Sequence, residues 1–504
     1  MAQEFSVALP QYVMLKNHHN QRYLRFTHED TAQHGFLQFT GETVISPHVK
    51  FEVQHSTSAV GLVHLRCGYN NKYLVRSSDT QLWIAAAADS AEEDRSKWSC
   101  TLFRPVSDGA VDNPQGGRNP LIRFLHVQLN QYVTLFQLPP FNNFAIASSS
   151  QPGGWRDTCE VVDWGSIVVM PRHLVFKGDN GMYLRALVIE RFNYHEFSAT
   201  SSREATAGNE VFPNPDGSIR IWSNHYRRFW RRSPNWIWGD STDTTSNNRD
   251  TVFWPVRVNR NVVALRCAGN NRFCKRLTAE RKISCLNASD VTISEFAMLE
   301  VVEERVSQRT ISNVVFRLND ARVYDETPRT VFRNIIVNNS PHTNSPTLTV
   351  TYANTQSKSW QSSLSFSFGV TTSVSGGFPK IAEAGIEISV ETTEEYTWGE
   401  TYESSAEVSQ AYPVTVGPFS RATITVMVTQ GSCDVPFSYT RKDDLFDGTS
   451  VTTRLDDGLY TGVNVYNFRG ENVEESLTAE EMIRLAQEEE EKKKMEKGEA
   501  DGEQ

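Results

Sequence analysis

Asn70-Asn71-Lys72-Tyr73-Leu74-Val75-Arg76 decides how this chain folds, because it does not stand alone. An earlier counterpart is Asn20-Gln21-Arg22-Tyr23-Leu24-Arg25, and a weaker one is Asn130-Gln131-Tyr132-Val133. The pattern returns as Asn180-Gly181-Met182-Tyr183-Leu184-Arg185, Arg227-Arg228-Phe229-Trp230-Arg231 and Asn270-Asn271-Arg272-Phe273-Cys274-Lys275. Its aromatics lie about 45 to 60 residues apart, and the six copies fall into two sets of three. Self-similarity of this kind fixes an architecture before any single element is assigned.

Each copy follows a short β-type run, such as Gly61-Leu62-Val63-His64-Leu65-Arg66 or Val262-Val263-Ala264-Leu265-Arg266. Apolar and polar residues alternate there, as in a half-buried strand. The polar link before each aromatic is turn chemistry, so each unit reads as a hairpin. Three such units per roughly 150 residues predict a closed pseudo-threefold barrel, the β-trefoil. Closure removes the sheet edges that short-stranded β domains otherwise expose. Larger blocks repeat as well: residues 10–25 align with 171–185, and 98–106 with 250–256. The expectation is two tandem β-trefoil domains, 1–165 and 166–305.

Both blocks resemble the agglutinin domain of amaranthin-type plant lectins. The resemblance is carried by Gln11-Tyr12-Val13 with Tyr23-Leu24-Arg25, by the run from Asn70 to Arg76, and by the run from Trp98 to Val106. The second block departs from it at Arg227-Arg228-Phe229-Trp230. The resemblance implies binding of galactose- or N-acetylgalactosamine-type glycans, with the sugar held between domains of two subunits. It therefore implies a homo-oligomer and a role in plant defence. Sugars are held by a few hydrogen bonds and an aromatic ring on their apolar face. By position in the repeat, the candidate carbohydrate-binding residues are Asn71, Lys72 and Tyr73 in the first domain and Arg228, Phe229 and Trp230 in the second. Tyr73 or Trp230 would stack; the alternative for these aromatics is barrel-wall packing. Composition leaves the same choice open for Trp83, Trp236, Trp238 and Trp254.

From Val314 the chain becomes rich in Thr, Ser and Val, with two-residue alternation in Thr347-Leu348-Thr349-Val350-Thr351-Tyr352 and Ala422-Thr423-Ile424-Thr425-Val426-Met427-Val428. These read as strands longer than the usual length. Residues 306–475 form an elongated antiparallel β module. Residues 476–504 form a charged helix or tail, with Thr478 and Glu481 spaced as a capping box.

Within the module, Leu364, Phe366, Phe368, Val370 and Val374 keep one register, opposed by Ser363, Ser365, Ser367 and Gly369. Gly376-Gly377-Phe378-Pro379 reads as a turn with one exposed aromatic, after which Ala382, Ala384, Ile386, Ile388 and Val390 resume the alternation. That pattern fits an amphipathic hairpin over 363–391 with limbs of about the 9 to 11 residues a membrane-spanning strand needs. One hairpin leaves its backbone edges unsatisfied in lipid, so several chains would each donate one to a ring. Glu383, Glu387 and Glu391 would then line the lumen and favour cations. The same alternation also fits a hairpin packed on one side of a soluble sheet. Residues 306–470 resemble an aerolysin-type pore-forming module, which implies a soluble form that oligomerises and inserts this hairpin. The alternative is a lectin whose third domain only mediates oligomerisation, without membrane activity.

The net charge is −10, of which −7 falls from Glu474 onward, where twelve acidic residues meet five basic ones. The remainder is nearly neutral, so no nucleic-acid footprint is expected; the one local exception is Arg227, Arg228, Arg231 and Arg232. The start lacks a basic and an apolar signal region, so a cytoplasmic or nucleocytoplasmic location is expected. The seven cysteines are then free thiols, and the sequons at Asn287 and Asn338 are chance matches. There is no nucleophile elbow, Walker loop, dinucleotide fingerprint or His-Glu-x-x-His. His18-His19 and Cys267, Cys274 and Cys285 are poorly spaced for a metal. Asp443-Asp444-Leu445-Phe446-Asp447-Gly448 lacks the final Glu of a calcium loop. A binding protein with no enzymatic activity, cofactor or metal is expected.

Overall fold

The computed structural model describes residues 7–113, 117–303, 306–363, 372–374, 377–389, 396–446 and 448–500. Its first barrel closes through six strands. Tyr12–Asn17 pairs with Phe51–His55, and pairing passes through Val63–Cys67, Phe103–Asp112, Arg118–His126 and Cys159–Asp163 back to Tyr12–Asn17. The hairpins between these strands cap the barrel. Leu15, Leu24, Leu65, Leu74 and Phe103 fill its core.

The second barrel repeats the scheme with His173–Lys177, Asn209–Pro213, Ile219–Ser223, Phe253–Arg257, Val262–Cys267 and Leu299–Val302. Its three cap hairpins pair with one another, at Tyr194 with Trp238, Glu196 with Cys285 and Trp236 with Asn287. Both domains are β-trefoils.

The six sequence copies occupy one structural position. Two residues before each aromatic the backbone is left-handed, with φ of 58° at Gln21, 57° at Asn71, 51° at Asn130, 74° at Gly181, 54° at Arg227 and 58° at Asn271. Asn and Gly tolerate that region best. Four copies start with an Asn that locks the turn. Asn20, Asn70, Asn180 and Asn270 each accept from the amide two residues on. Each also donates to a carbonyl on the second strand of its hairpin, namely Phe39, Ala86, Phe197 or Ala288.

Immediately after each aromatic the register shifts by a bulge, at Tyr23/Leu24, Tyr73/Leu74, Tyr132/Val133, Tyr183/Leu184, Phe229/Trp230 and Phe273/Cys274. A bulge sets two residues against one and re-aims the side chain that follows. Leu24, Leu74, Leu184, Trp230 and Cys274 thereby enter the cores.

The third domain is built on Ser420–Leu445 and Ser450–Ser476, 26 and 27 residues long. At about 3.3 Å per residue each extends roughly 85 Å. Val306–Phe316 and Arg322–Asn338 cover successive parts of one edge of this ribbon, and Thr347–Ser362 with Thr401–Pro413 extends the other. One core holds Trp360, Phe378, Ile381, Phe437 and Tyr460; a second, farther along the ribbon, holds Val350, Val416, Ile424 and Val426. The helix Ala479–Ala500 follows, and Thr478 and Glu481 make the capping box, with Thr478 N donating to Glu481 Oε2 at 3.0 Å and Glu481 N to Thr478 Oγ1 at 3.3 Å.

The expected hairpin is arranged differently. The described chain reverses at Glu383-Ala384, pairing Phe378–Ala382 with Gly385–Ser389; of the expected turn, Gly376 lies outside the described residues, and Phe378 and Pro379 lie in the first of these strands. Gly385 supplies the φ of 121° that closes this turn. Phe378, expected as an exposed turn aromatic, is 5% exposed, with Lys358 Nζ 3.5 Å above its ring. Leu364, Phe366, Phe368, Val370 and Val390 lie outside the described residues. Val374 belongs to Thr372–Val374, which runs parallel to Arg309–Ile311 and antiparallel to Tyr396–Thr397.

Candidate functional site

The three candidates of the first domain come together, and they face the third domain. The left-handed backbone at Asn71 throws its side chain outward, and Nδ2 donates to Asp434 Oδ2 at 3.0 Å. Lys72 Nζ reaches Asp89 Oδ1 at 3.1 Å. Tyr73 is buried; its hydroxyl donates to Gln54 Oε1 at 2.7 Å, and the Arg322 guanidinium lies 5.4 Å from its ring. A sugar finds no open face on Tyr73, which packs in the barrel wall instead of stacking, whereas Asn71 and Lys72 are half-buried.

In the second domain Arg228 is exposed, but its two neighbours are not. Phe229 sits between Phe212 and Trp222 beneath Arg220. Trp230 is 0% exposed, packs on Phe176 and His195, and donates its indole N–H to Asn209. The bulge between them buries two consecutive rings, so both belong to the barrel wall rather than to a ligand. The basic run is partly neutralised: Arg231 pairs with Asp240 and Arg232 with Asp250, both at 2.6 Å.

Exposed ring surface occurs at residues the repeat does not mark. Phe192 and Trp238 stack at 4.5 Å with 16° between their planes, with the Arg231 guanidinium 5.7 Å from the indole. Phe192 is 47% exposed. Trp155, 69% exposed, meets His18 edge-on. Alternation sets Trp236 and Trp238 on the opposite side of the strand from Ile237, off the barrel core, without telling the buried Trp236 from the half-buried Trp238.

The junction of the first and third domains is polar and charged. His34 Nε2 lies 2.6 Å from Asp320 Oδ1, and Arg322 Nε donates to the Asp89 carbonyl at 2.7 Å. Burial works against a charge on His34, but the hydrogen bond and charge of Asp320 outweigh it and raise its pKa. Burial pushes Asp320 up as well, and His34 draws it back. Lys50 Nζ lies 3.9 Å over Trp164 and donates to the Ser363 carbonyl at 2.9 Å; burial lowers its pKa to about 8. A cavity of about 570 Å³ opens where all three domains meet, lined by His48, Met170, Arg172, Trp398, Tyr439 and Asp457.

The hairpin Phe378–Ser389 is held against the long sheet. Asn464 Oδ1 accepts from the Ile381 amide and Nδ2 donates to the Ile381 carbonyl, both at 2.9 Å and buried. Ile386, opposite the buried Ile381, is half-buried and packs against the same core, whereas Ile388 farther along the strand is 39% exposed.

Other sequence features resolve as structural parts. Asp443 pairs with Arg309 at 2.6 Å, which accounts for the acidic run there. Asn338 is buried and donates to the carbonyls of His342, Val416 and Gly417. The seven cysteines are free and buried.

Residues 7–163 and 168–303 match the model of the agglutinin domain, and residues 310–445 match that of the aerolysin toxin. Similar solved structures include a lamprey immune protein, with 12% identity over 62% of this chain and 93% of that one and a TM-score of 0.29. The hemolytic lectin CEL-III has 8% identity, coverage of 91% and 92%, and a TM-score of 0.28. An aerolysin-like protein of Bombina maxima has 12% identity, coverage of 33% and 99%, and a TM-score of 0.22. No curated protein matches the chain.

Proposed function

Because this chain belongs to the agglutinin-domain family and carries an aerolysin toxin module behind its two agglutinin domains, we propose that it is a lectin that directs a pore to glycan-bearing membranes. Carbohydrate binding and pore formation belong to these families. The finer reading is recognition of galactose- or N-acetylgalactosamine-type glycans, in plant defence, by a chain kept in the cytoplasm or nucleus until it meets a foreign surface. Arg228 supplies hydrogen bonds and the Phe192–Trp238 stack the aromatic face, while Asn71 and Lys72, bonded to Asp434 and Asp89 at the junction with the third domain, would reach a sugar only where that junction opens.

The observation that carries this reading is the hairpin Phe378–Ser389, laid on the long sheet by Phe378, Ile381 and two hydrogen bonds of Asn464 while Ile388 stays exposed. Among the described residues this strand pair is hydrogen-bonded to no other strand, so it can leave the long sheet without breaking a ladder. Its limbs of five residues are shorter than the about 9 to 11 a membrane-spanning strand needs, so copies of the chain would pool the longer segment 363–391 into a closed barrel, apolar side to lipid, with Glu387 facing the lumen.

A glycan array with the full-length protein, followed by dye release from vesicles carrying the best ligand, tests both halves. Selective retention of galactose- or N-acetylgalactosamine-terminated glycans, lost in Phe192→Ala/Trp238→Ala, and ligand-dependent leakage are expected. Retention without leakage leaves a lectin whose third domain only oligomerises. Absence of any retention overturns the glycan reading.

A further inference from the structure

Three side chains from two domains converge beside the central cavity. His28 follows the strand Tyr23–Phe26, and His48 lies in the 3-10 turn Pro47–Val49. Asp456 belongs to the long strand Ser450–Ser476 of the third domain. Asp456 Oδ2 is 3.5 Å from His48 Nε2 and 3.7 Å from His28 Nε2. One donor atom from each residue lies within 4.8 Å of the other two. These separations are too long for hydrogen bonds. They approach the spacing of about 3.3 Å between donors placed some 2.0–2.1 Å from a tetrahedral ion.

A second observation points to a ligand. His48 is 7% exposed, and its Nδ1 has no hydrogen-bond partner; His28 Nδ1 and Asp456 Oδ1 are likewise buried and unpartnered. Buried polar atoms are normally satisfied. These three are not the converging Nε2 and Oδ2 atoms; that they lack hydrogen-bond partners among the described residues leaves both rings and the carboxylate free to turn about an ion.

We propose that His28, His48 and Asp456 form a site for a divalent cation of the zinc class that pins the first domain to the third. Two imidazoles and one carboxylate suit that class, whereas calcium and magnesium favour all-oxygen sets. The fourth position opens on the cavity, where a water completes the tetrahedron. The two rings stack at 3.9 Å with 11° between their planes. Closing on the ion swings one of them out of the stack, into space the cavity provides. Because the ligands come from two domains, the ion binds only the docked form and stabilises it by mass action. This inference stands apart from the glycan reading.

The test uses the full-length protein, stripped with a chelator and dialysed against Zn²⁺, Ca²⁺ or Mg²⁺. One equivalent of Zn²⁺ per chain is expected, with a higher melting temperature, and neither effect with Ca²⁺ or Mg²⁺. Asp456→Asn and His48→Gln each weaken Zn²⁺ at least about tenfold, and neither melts higher when Zn²⁺ is added. Asp456→Asn preserves shape and guards against loss of folding. Failure of the wild-type protein to retain Zn²⁺ overturns the proposal. So does equal retention by both variants, or loss only in His18→Ala/His19→Ala.

Discussion

Asn70 and Asn71 are adjacent and do different work. Asn70 is 1% exposed and closes the turn with two hydrogen bonds, to the Lys72 amide and the Ala86 carbonyl. Asn71 holds the left-handed backbone and faces Asp434. Asn70→Ala therefore destabilises the first domain by about 1–3 kcal/mol, while Asn71→Gly, which suits φ > 0, changes it by less than about 0.5 kcal/mol. Hydrogen exchange of the barrel amides in the full chain separates the two outcomes. The contrast also explains what the sequence concealed at this scale. The Asn-x-x-aromatic spacing made four of the six turns legible and the period of the aromatics the other two, and the pattern repeats because each turn needs the same backbone. Repetition therefore marked scaffold, and Trp230, chosen for its place in the pattern, is a core residue. The exposed stack of Phe192 on Trp238 has no counterpart in the pattern.

At the scale of elements, the hairpin Phe378–Ser389 depends on Asn464, whose two buried bonds are its polar attachment to the long ribbon. Asn464→Ala removes both, so exchange at the Ile381 amide accelerates by about tenfold or more and leakage begins at lower protein concentration. Unchanged exchange would mean that Phe378 and Ile381 hold the hairpin by packing alone. The alternation of Ile386 with Ile388 was legible; the position of the turn was not. Gly376-Gly377-Phe378-Pro379 is the stronger local signal, yet Lys358 over Phe378 and Asn464 on Ile381 draw Phe378 and Ile381 into the core as a strand. Tertiary contacts overrode turn chemistry. The long strands needed no such contacts to be recognised, because their alternation is itself the signal.

For the whole molecule, acid acts with opposite signs in different places. Burial lowers His126 to about 4, helped by Arg76, and lowers His195 to about 3. Below pH 6.5 the unfolded chain takes up protons that these residues refuse, so stability falls as pH drops from 6.5 toward those values, by about 1.4 kcal/mol per pH unit for each histidine. His34 does the reverse. Its raised pKa stabilises the junction fully below 6.5, and the contribution is lost as pH rises through the folded value. Melting temperature against pH should decline below 6.5, and more gently in His195→Gln; an identical slope would remove His195 from the account. The junction itself was illegible in the sequence, since its partners lie 286 residues apart at His34–Asp320 and 363 at Asn71–Asp434.

That separation sets a schedule during synthesis. The first barrel closes within residues 12–163, while the partner of Asn71 follows 363 residues behind it. A ribosome adding about 5–20 residues per second delivers Asp434 roughly 20–70 s later. For that interval the nascent chain carries a folded domain whose junction face meets only solvent and chaperones. The polar character of that face, with His34, Lys72 and Asn71 in place of a large apolar patch, keeps the wait from ending in aggregation.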